Sequence, residues 1–169
     1  MGLDMYFYKT KNDDVLNLMC KLLDCREEER KSYIDMGFYR IKLMSAESEY
    51  ETAFHKLHPI VYLRKVNCAH GLLTKGREKA DNMPFILKKD EILKMQEHCK
   101  QIIESAVAGN KYDKKLAKKL LPIKDGLFWG PREYDAEYFE TVNEAYSACQ
   151  TILSSTDFDN ESIVYIADY

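Results

Sequence analysis

Arg64, Asn67 and His70 are the residues of this chain whose types and spacing could do chemistry. They stand three apart in the stretch Tyr-Leu-Arg-Lys-Val-Asn-Cys-Ala-His, and residues three apart share a helix face. On such a face Arg64 and Lys65 could bind a phosphate or carboxylate. His70 could act as a base and Asn67 could orient a ligand. The alternative is structural: Asn67 and His70 satisfy backbone groups of the Gly126–Gly130 loop, and Arg64 pairs with a carboxylate such as Asp135.

A second candidate is the aromatic loop Gly126-Leu-Phe-Trp-Gly130. It lacks the Gly-rich spacing and the Lys-Ser/Thr pair of a phosphate-binding loop. Phe128 and Trp129 could stack on a base or anchor a partner protein. Alternatively, they cover the edge of the core. Tyr134 and Asp135 follow directly and complete the set of candidate binding residues.

Charge is spread unevenly along the chain, although its net value is only −3. Residues 109–130 carry six Lys against two Asp, and residues 131–169 carry nine acidic residues against Arg132 alone. The basic segment could contact nucleic acid or an acidic protein, and the acidic segment 133–144 could mimic nucleic-acid charge. A solvated helix face is the alternative for both. A chain built for DNA normally has a basic surplus, so nucleic acid is not the favoured partner. The basic patch consists of Lys111, Lys114, Lys115, Lys118 and Lys119, with Lys124 further on.

We expect neither a metal ion nor a cofactor. His55 and His58 stand three apart, but no Cys or carboxylate nearby completes a ligand set. The five Cys residues include Cys20 and Cys25, which lack a second metal-binding pair downstream. All five are predicted to be buried, reduced thiols. The chain also lacks nucleophile-elbow, Walker and paired-carboxylate motifs, which disfavours an enzyme.

Hydrophobic periodicity predicts the elements that position these residues. Strands are predicted at residues 3–9, 37–44, 85–87 and 163–166. Helices are predicted at residues 13–30, 45–57, 59–74, 91–107, 111–121 and 136–153. Pro59 would be the first residue of its helix and Gly76 would follow its end, while Asp90 and Asp135 would cap theirs. The pattern indicates one α+β domain over residues 1–169, with about five helices packed on a small, mostly antiparallel sheet.

The composition favours a folded chain. Hydrophobic residues make up 46% and aromatic residues 12% of the 169 positions, which is enough to build a core. No stretch approaches the 18 apolar residues that a membrane span requires, and no basic segment precedes an apolar run as in an export signal. We therefore expect a protein of the cytoplasm without membrane contact.

Three pieces of sequence together resemble a known family. They are the opening Met-Gly-Leu-Asp-Met-Tyr-Phe-Tyr-Lys, the stretch from Tyr62 to His70, and Leu121-Pro122 followed by the aromatic loop and Tyr134-Asp135. They are similar to a family of small uncharacterised bacteriophage and prophage proteins. Members open Gly-Leu-Asp-Met-Tyr, carry a Trp/Tyr-x-Arg-Lys-x-Asn-x-x-His helix, and show a Gly-aromatic-Gly loop before Tyr-Asp. The stretch between residues 10 and 55 and the Lys-rich segment do not match.

The resemblance implies a phage or mobile-element origin and no particular chemistry. Phage genomes are rich in small proteins that bind and disable host defence enzymes, an association at the level of family rather than of site. We therefore expect a non-catalytic, phage-type accessory protein that binds a host protein in the host cytoplasm. An anti-defence inhibitor of the anti-CRISPR or anti-restriction type is the most concrete version. The alternative is a small nucleotide- or phosphate-handling enzyme or binder that uses Arg64, Asn67 and His70.

Overall fold

A computed structural model of the chain describes residues 2–12, 57–77, 85–106 and 112–169. Several predictions lie outside these residues. They are the helix at 13–30, the strand at 37–44, nearly all of the helix at 45–57, and the individual residues Cys20, Cys25, His55 and Lys111.

The described residues form one sheet of four antiparallel strands. They are β1 (Asp4–Lys11), β2 (His58–Arg64), β3 (Phe85–Leu87) and β4 (Glu161–Asp168), in the order β2-β1-β4-β3. Alternate residues of the central strands form the buried face of the sheet: Met5, Phe7, Ile163, Tyr165 and Ala167. Phe7 lies opposite Tyr165, with the ring centroids 5.0 Å apart. The antiparallel sheet and its strands at 3–9, 85–87 and 163–166 are confirmed.

The described residues contain four helices: α1 (Asn67–Leu73), α2 (Lys89–Glu104), α3 (Lys114–Leu120) and α4 (Ala136–Ser155). The two long helices, α2 and α4, pack against each other through one apolar face each. The buried residues of these faces are Ile92, Met95, Cys99 and Ile102 on α2, and Tyr138, Phe139, Val142, Ala145, Cys149 and Ile152 on α4. The α+β class is confirmed, with four described helices where about five are predicted for the whole chain.

Helix starts depend on local side chains. Asp135 is the N-cap of α4 as predicted, because its carboxylate accepts a hydrogen bond from the Tyr138 N–H at 3.2 Å. Asp113 caps α3 in the same way. α2 begins two residues before its predicted start, so that Asp90 lies in the first turn instead of at the cap.

The single helix predicted over residues 59–74 is wrong. Residues His58–Arg64 form β2, and α1 begins only at Asn67. Ile60, Val61 and Tyr62 are β-branched or aromatic, and such side chains fit a strand. β2 is an edge strand in the described sheet, a position that tolerates Pro59. Lys65 then has a φ of 60°, which no right-handed helix contains.

Three cysteines lie in the described residues, and all three are buried free thiols as predicted. Burial raises the pKa of Cys68 to about 11 and that of Cys149 to about 12. It raises the pKa of Cys99 above its ordinary value as well. Thiols with such raised pKa values are poor nucleophiles at neutral pH, which fits a packing role.

Within the described ranges, no helix combines the length and apolarity needed to cross a membrane. The prediction that residues 1–169 form one domain stays a prediction, because the described ranges cover only part of the chain.

Candidate functional site

Arg64 does not share a helix face with Asn67 and His70, because it lies on β2 while they lie on α1. Arg64 is opposite Asp4 of β1, and its Nε atom is 3.7 Å from the Asp4 carboxylate. The hydroxyl of Tyr62 donates a hydrogen bond to the same carboxylate. The acidic partner of Arg64 is therefore Asp4, and Asp135 instead caps α4.

Asn67 is buried in the first turn of α1. Its side-chain Nδ2 donates a hydrogen bond to the carbonyl oxygen of Pro131 at 2.8 Å. Pro131 directly follows the aromatic loop, so this bond fastens α1 to the end of the loop. The acceptor lies one residue beyond the Gly126–Gly130 loop of the structural alternative, and the Asn67 Oδ1 atom is buried without a partner among the described residues.

His70 is fully buried on the same helix. Its Nδ1 atom lies 2.7 Å from the hydroxyl of Tyr165. Burial, and secondarily the positive charge of Lys124, lower the pKa of His70 to about 3. Burial also raises the pKa of Tyr165, so both groups are uncharged at neutral pH. The His70 imidazole is therefore buried and neutral, it hydrogen-bonds a core hydroxyl through Nδ1, and its Nε2 atom has no hydrogen-bond partner among the described residues.

Trp129 is held inward by three neighbours. Its ring lies perpendicular to the His70 ring at 5.2 Å and against the Tyr169 ring at 4.3 Å. The ammonium group of Lys124 is 5.4 Å from the Trp129 ring centroid, a cation–π distance. Lys124 also donates a hydrogen bond to the Thr74 hydroxyl, which in turn donates to the His70 carbonyl. Trp129 is therefore partly buried and packs against the core.

Two glycines allow the loop to take this path. Gly130 has a φ of 135°, and a Cβ atom there would lie 1.9 Å from the carbonyl oxygen of Lys65. A Cβ atom on Gly126 would lie 2.0 Å from the indole ring of Trp129. Real Cβ contacts are never so short. Any side chain at either position would push the loop away from β2 and α1 or displace the indole ring.

Leu127 and Phe128, the tip pair, project from this loop. Leu127 is 72% exposed and Phe128 is 60% exposed, more than any other large apolar side chain in the described residues. Phe128 also has a φ of 62°, a conformation that bulky residues rarely adopt. Such a backbone costs about 1–3 kcal/mol and persists only where the surroundings enforce it. The loop therefore presents two apolar side chains in a fixed geometry.

Tyr134 and Asp135 serve the fold around the loop. The Tyr134 hydroxyl accepts a hydrogen bond from the Ile123 N–H at 3.0 Å. The ammonium group of Lys118 lies 5.4 Å from the Tyr134 ring centroid. Asp135 caps α4. Both side chains thus have intramolecular roles.

The predicted charged segments both lie on the surface. Lys114, Lys115, Lys118 and Lys119 are exposed on α3. An acidic face, formed by Glu133, Glu137, Glu140 and Glu144, begins beside the loop and follows α4. A shallow cavity of about 420 Å³ joins the loop and the acidic face, because Phe128 lines it together with Glu133 and Glu137, and the cations Lys65 and Arg132 line it as well.

Sequence reasoning missed Leu127, Asp4 and Tyr62. A period of two over residues 58–64 would have placed Tyr62 and Arg64 on one face of a strand. No signal in the sequence separated Leu127 from the interior residues of the loop. Among the described residues, no group of three or more His, Cys, Asp or Glu side chains could hold a metal ion.

Comparisons of the chain with protein-family models, with curated proteins and with solved structures find no match. The candidate function therefore depends on the geometry of these residues and on the resemblance in sequence.

Proposed function

We propose that this chain is a non-catalytic protein-binding module of phage type, which inserts the tip pair into an apolar pocket of a host protein. The observation that carries the proposal is the exposure of Leu127 and Phe128 on a loop whose other residues are fixed. Protein interfaces are dominated by a few large side chains that fill pockets. Rigid anchors lose little conformational entropy on binding, which favours affinity.

The charge around the tip pair indicates the character of the partner. The acidic face lies beside Phe128, and its four carboxylates are exposed; Lys65 and Arg132 line the cavity next to Phe128, so the acidic surface is that of α4. A surface of this kind is complementary to a basic surface with an apolar pocket. Enzymes that act on nucleic acids have basic surfaces. An anti-defence inhibitor that covers the nucleic-acid site of a host enzyme is thus the most concrete version of the proposal, in line with the phage resemblance.

The described geometry favours binding over catalysis. Asn67 and His70 are buried and bonded to the fold, and Arg64 lies on another element and pairs with Asp4. The Asn67 Oδ1 and His70 Nε2 atoms are buried without a hydrogen-bond partner among the described residues, and this is the observation that favours the alternative of a nucleotide- or phosphate-handling site.

Pull-down of the tagged full chain from a bacterial host extract, read by mass spectrometry, tests the proposal. The variant Phe128→Gly removes the anchor and suits the positive φ, so the fold should be retained. Leu93→Ser is the matched control, because Leu93 is a large apolar residue that is 41% exposed on α2, outside the loop. We expect a specific partner with the parent chain and with Leu93→Ser, and none with Phe128→Gly.

Binding of the purified partner then gives the magnitude. Loss of a buried aromatic anchor costs at least about 2 kcal/mol, a roughly 30-fold increase in Kd. Replacing Glu137 and Glu140 by Lys should also weaken binding and reduce its dependence on salt. Partner binding that is unchanged in Phe128→Gly would refute the anchor, and co-purification of a nucleotide instead of a protein would support the alternative function.

A further inference from the structure

Among the described residues, the outer edge of β2 borders an open groove of about 740 Å³ whose opposite wall is α4. Residues 60–64 all line this groove. Because consecutive side chains of a strand point to opposite faces, five consecutive residues can share one groove only along the backbone edge. The α4 wall consists of Asn143, Glu144, Ser147, Ala148 and Thr151.

The ladder between β1 and β2 shows which backbone groups face the groove. The Lys65 N–H donates to the Leu3 carbonyl at 2.7 Å, and hydrogen-bonded pairs alternate along an antiparallel ladder. Leu63 therefore directs its N–H and C=O towards β1, while Tyr62 and Arg64 direct theirs outward. In the described sheet β1 is the neighbour of β2, so these groups border the groove.

The stretch of β2 that can accept another strand is short. Pro59 has no N–H, and the pairing register shifts beside it, where Ile60 is the extra residue of β2. At the other end, Lys65 leaves the extended conformation. The usable edge is thus residues 61–64, about 13 Å of strand. If the β2 strands of two copies paired antiparallel with Tyr62 opposite Tyr62, the irregular position Ile60 of one copy would lie opposite Arg64, next to the turn at Lys65, in the other. A second copy therefore fits this edge poorly.

The relative direction of α4 and β2 determines where the charged residues lie along the groove. β2 and β4 both run antiparallel to β1, and α4 leads into β4 through residues 156–160 alone. α4 therefore runs opposite to β2, which puts Glu144 at the Arg64 end of the groove and Thr151 at the Ile60 end. Short side chains line the wall between them. The positive charge of Arg64 on β2 is paired with Asp4. The groove is therefore acidic at the end where Glu144 lies and neutral at the end where Thr151 lies.

We propose that this groove binds an extended, proline-free segment of a partner protein, which joins β2 as an antiparallel strand. The segment carries a Lys or Arg opposite Glu144 and, two residues later, a small apolar residue opposite Ala148. Backbone hydrogen bonds to Tyr62 and Arg64 give the affinity, and the two side chains give the specificity. This surface is separate from the tip pair and does not depend on it.

A nuclear magnetic resonance titration of the ¹⁵N-labelled full chain tests this proposal with two short peptides. The probe is acetyl-Thr-Lys-Thr-Val-Thr-amide, and its matched control replaces Lys by Glu. We expect saturable shifts of amides in β2 and along the α4 wall, slower hydrogen exchange at Tyr62 and Arg64, and binding of the Lys peptide about tenfold tighter than the Glu peptide. Equal binding of both peptides, or no shift with the Lys peptide up to about 1 mM, would overturn the proposal.

Two variants of α4 confirm the location. Ser147→Arg fills the groove at an exposed helical position, where Arg is well tolerated, and Gln150→Arg places the same side chain outside it. The first should weaken binding of the Lys peptide at least about tenfold, and the second should not. A parent chain that dimerises while Ser147→Arg stays monomeric would overturn the proposal in favour of a second copy. Phe128→Gly should leave peptide binding unchanged, so failure here and failure of the tip pair are distinguishable.

Discussion

The start of α1 and the tip of the aromatic loop differ in opposite ways from the usual burial of apolar and exposure of polar side chains. Asn67 and His70 are polar and buried, whereas Leu127 and Phe128 are apolar and exposed. The two regions are in contact, because Asn67 bonds the end of the loop and His70 packs against Trp129. The polar residues therefore fix the support from which the apolar residues project.

This difference shows that spacing alone does not separate a site from its scaffold. Buried polar groups bonded to the fold set a geometry, and exposed apolar groups on a fixed backbone are available to a partner. If this division is right, changes at α1 should act on stability, and changes at the tip pair should act on binding.

The largest expected effect is acid destabilisation through His70. The folded chain holds the His70 pKa at about 3, against an ordinary value of 6.5. Between these two values the unfolded chain binds a proton that the folded chain does not. The contribution of His70 to the free energy of unfolding is therefore complete above the ordinary pKa and falls by about 1.4 kcal/mol per pH unit below it.

Urea unfolding between about pH 7 and pH 4 measures this effect. As the pH falls, the free energy of unfolding of the parent should decrease more steeply than that of His70→Gln, and the difference in slope should correspond to about one bound proton. The control His58→Gln changes an exposed histidine and should have the same pH profile as the parent. If the parent and His70→Gln have parallel profiles, solvent reaches His70 and the contrast between the two regions fails.

The second effect concerns the loop backbone. Gly130→Ala should destabilise the chain by about 3 kcal/mol, since its Cβ atom would collide with the Lys65 carbonyl at a positive φ. Gly76→Ala is the control: its φ of 77° is also positive, but its Cβ position is open, so about 1 kcal/mol is expected. Thermal unfolding measures the stability of both variants. Equal losses of stability would show that the loop moves to accommodate the new Cβ atom at position 130.

The third effect separates two residues that the sequence grouped together. Asn67→Ala should cost about 2 kcal/mol because it leaves the buried Pro131 carbonyl without its donor. Arg64→Ala should change the free energy of unfolding by less than about 0.5 kcal/mol, because the Arg64 side chain in its ion pair with Asp4 is exposed. Chemical denaturation of both variants checks this order, which the reverse result would contradict.

The smallest effect has the opposite sign. Phe128→Gly should raise the free energy of unfolding by about 1 kcal/mol, since glycine adopts a φ of 62° without strain and little packing is lost. Phe128→Ala, which keeps most of the strain, should gain less. A clear loss of stability in Phe128→Gly would place Phe128 in the packing of the loop and not at an interface.

Local signals in the sequence predicted much of the fold. Residues 85–87 form the predicted strand, and Asp135 caps α4 because capping depends only on neighbouring atoms. The segment 59–74 failed because Val61, Leu63 and Val66 satisfy helical and strand spacing about equally. Pairing with β1, whose partner residues are 49 to 60 positions away along the chain, determines that the segment forms a strand.

The site was harder to predict than the fold. Phe128 and Trp129 are adjacent aromatic residues, and sequence pattern treats them alike. Trp129 faces inward because Gly126 leaves space for its ring, and Phe128 faces outward because its φ is positive. Both conditions depend on the docking of the loop against Lys65 and α1, which no local propensity encodes.

The sheet has a consequence for synthesis of the chain on the ribosome. Its two central strands, β1 and β4, come from residues 4–11 and 161–168. The ladder between β1 and β4 cannot form until residues 161–168 have been synthesised. Strand β1 therefore lacks its β4 partner while the residues between the two strands are made. Contacts of such long sequence separation slow folding and leave strand edges open to aggregation. Formation of the central ladder should therefore follow the synthesis of β4, and the edge of β1 that pairs with β4 is open to aggregation until then.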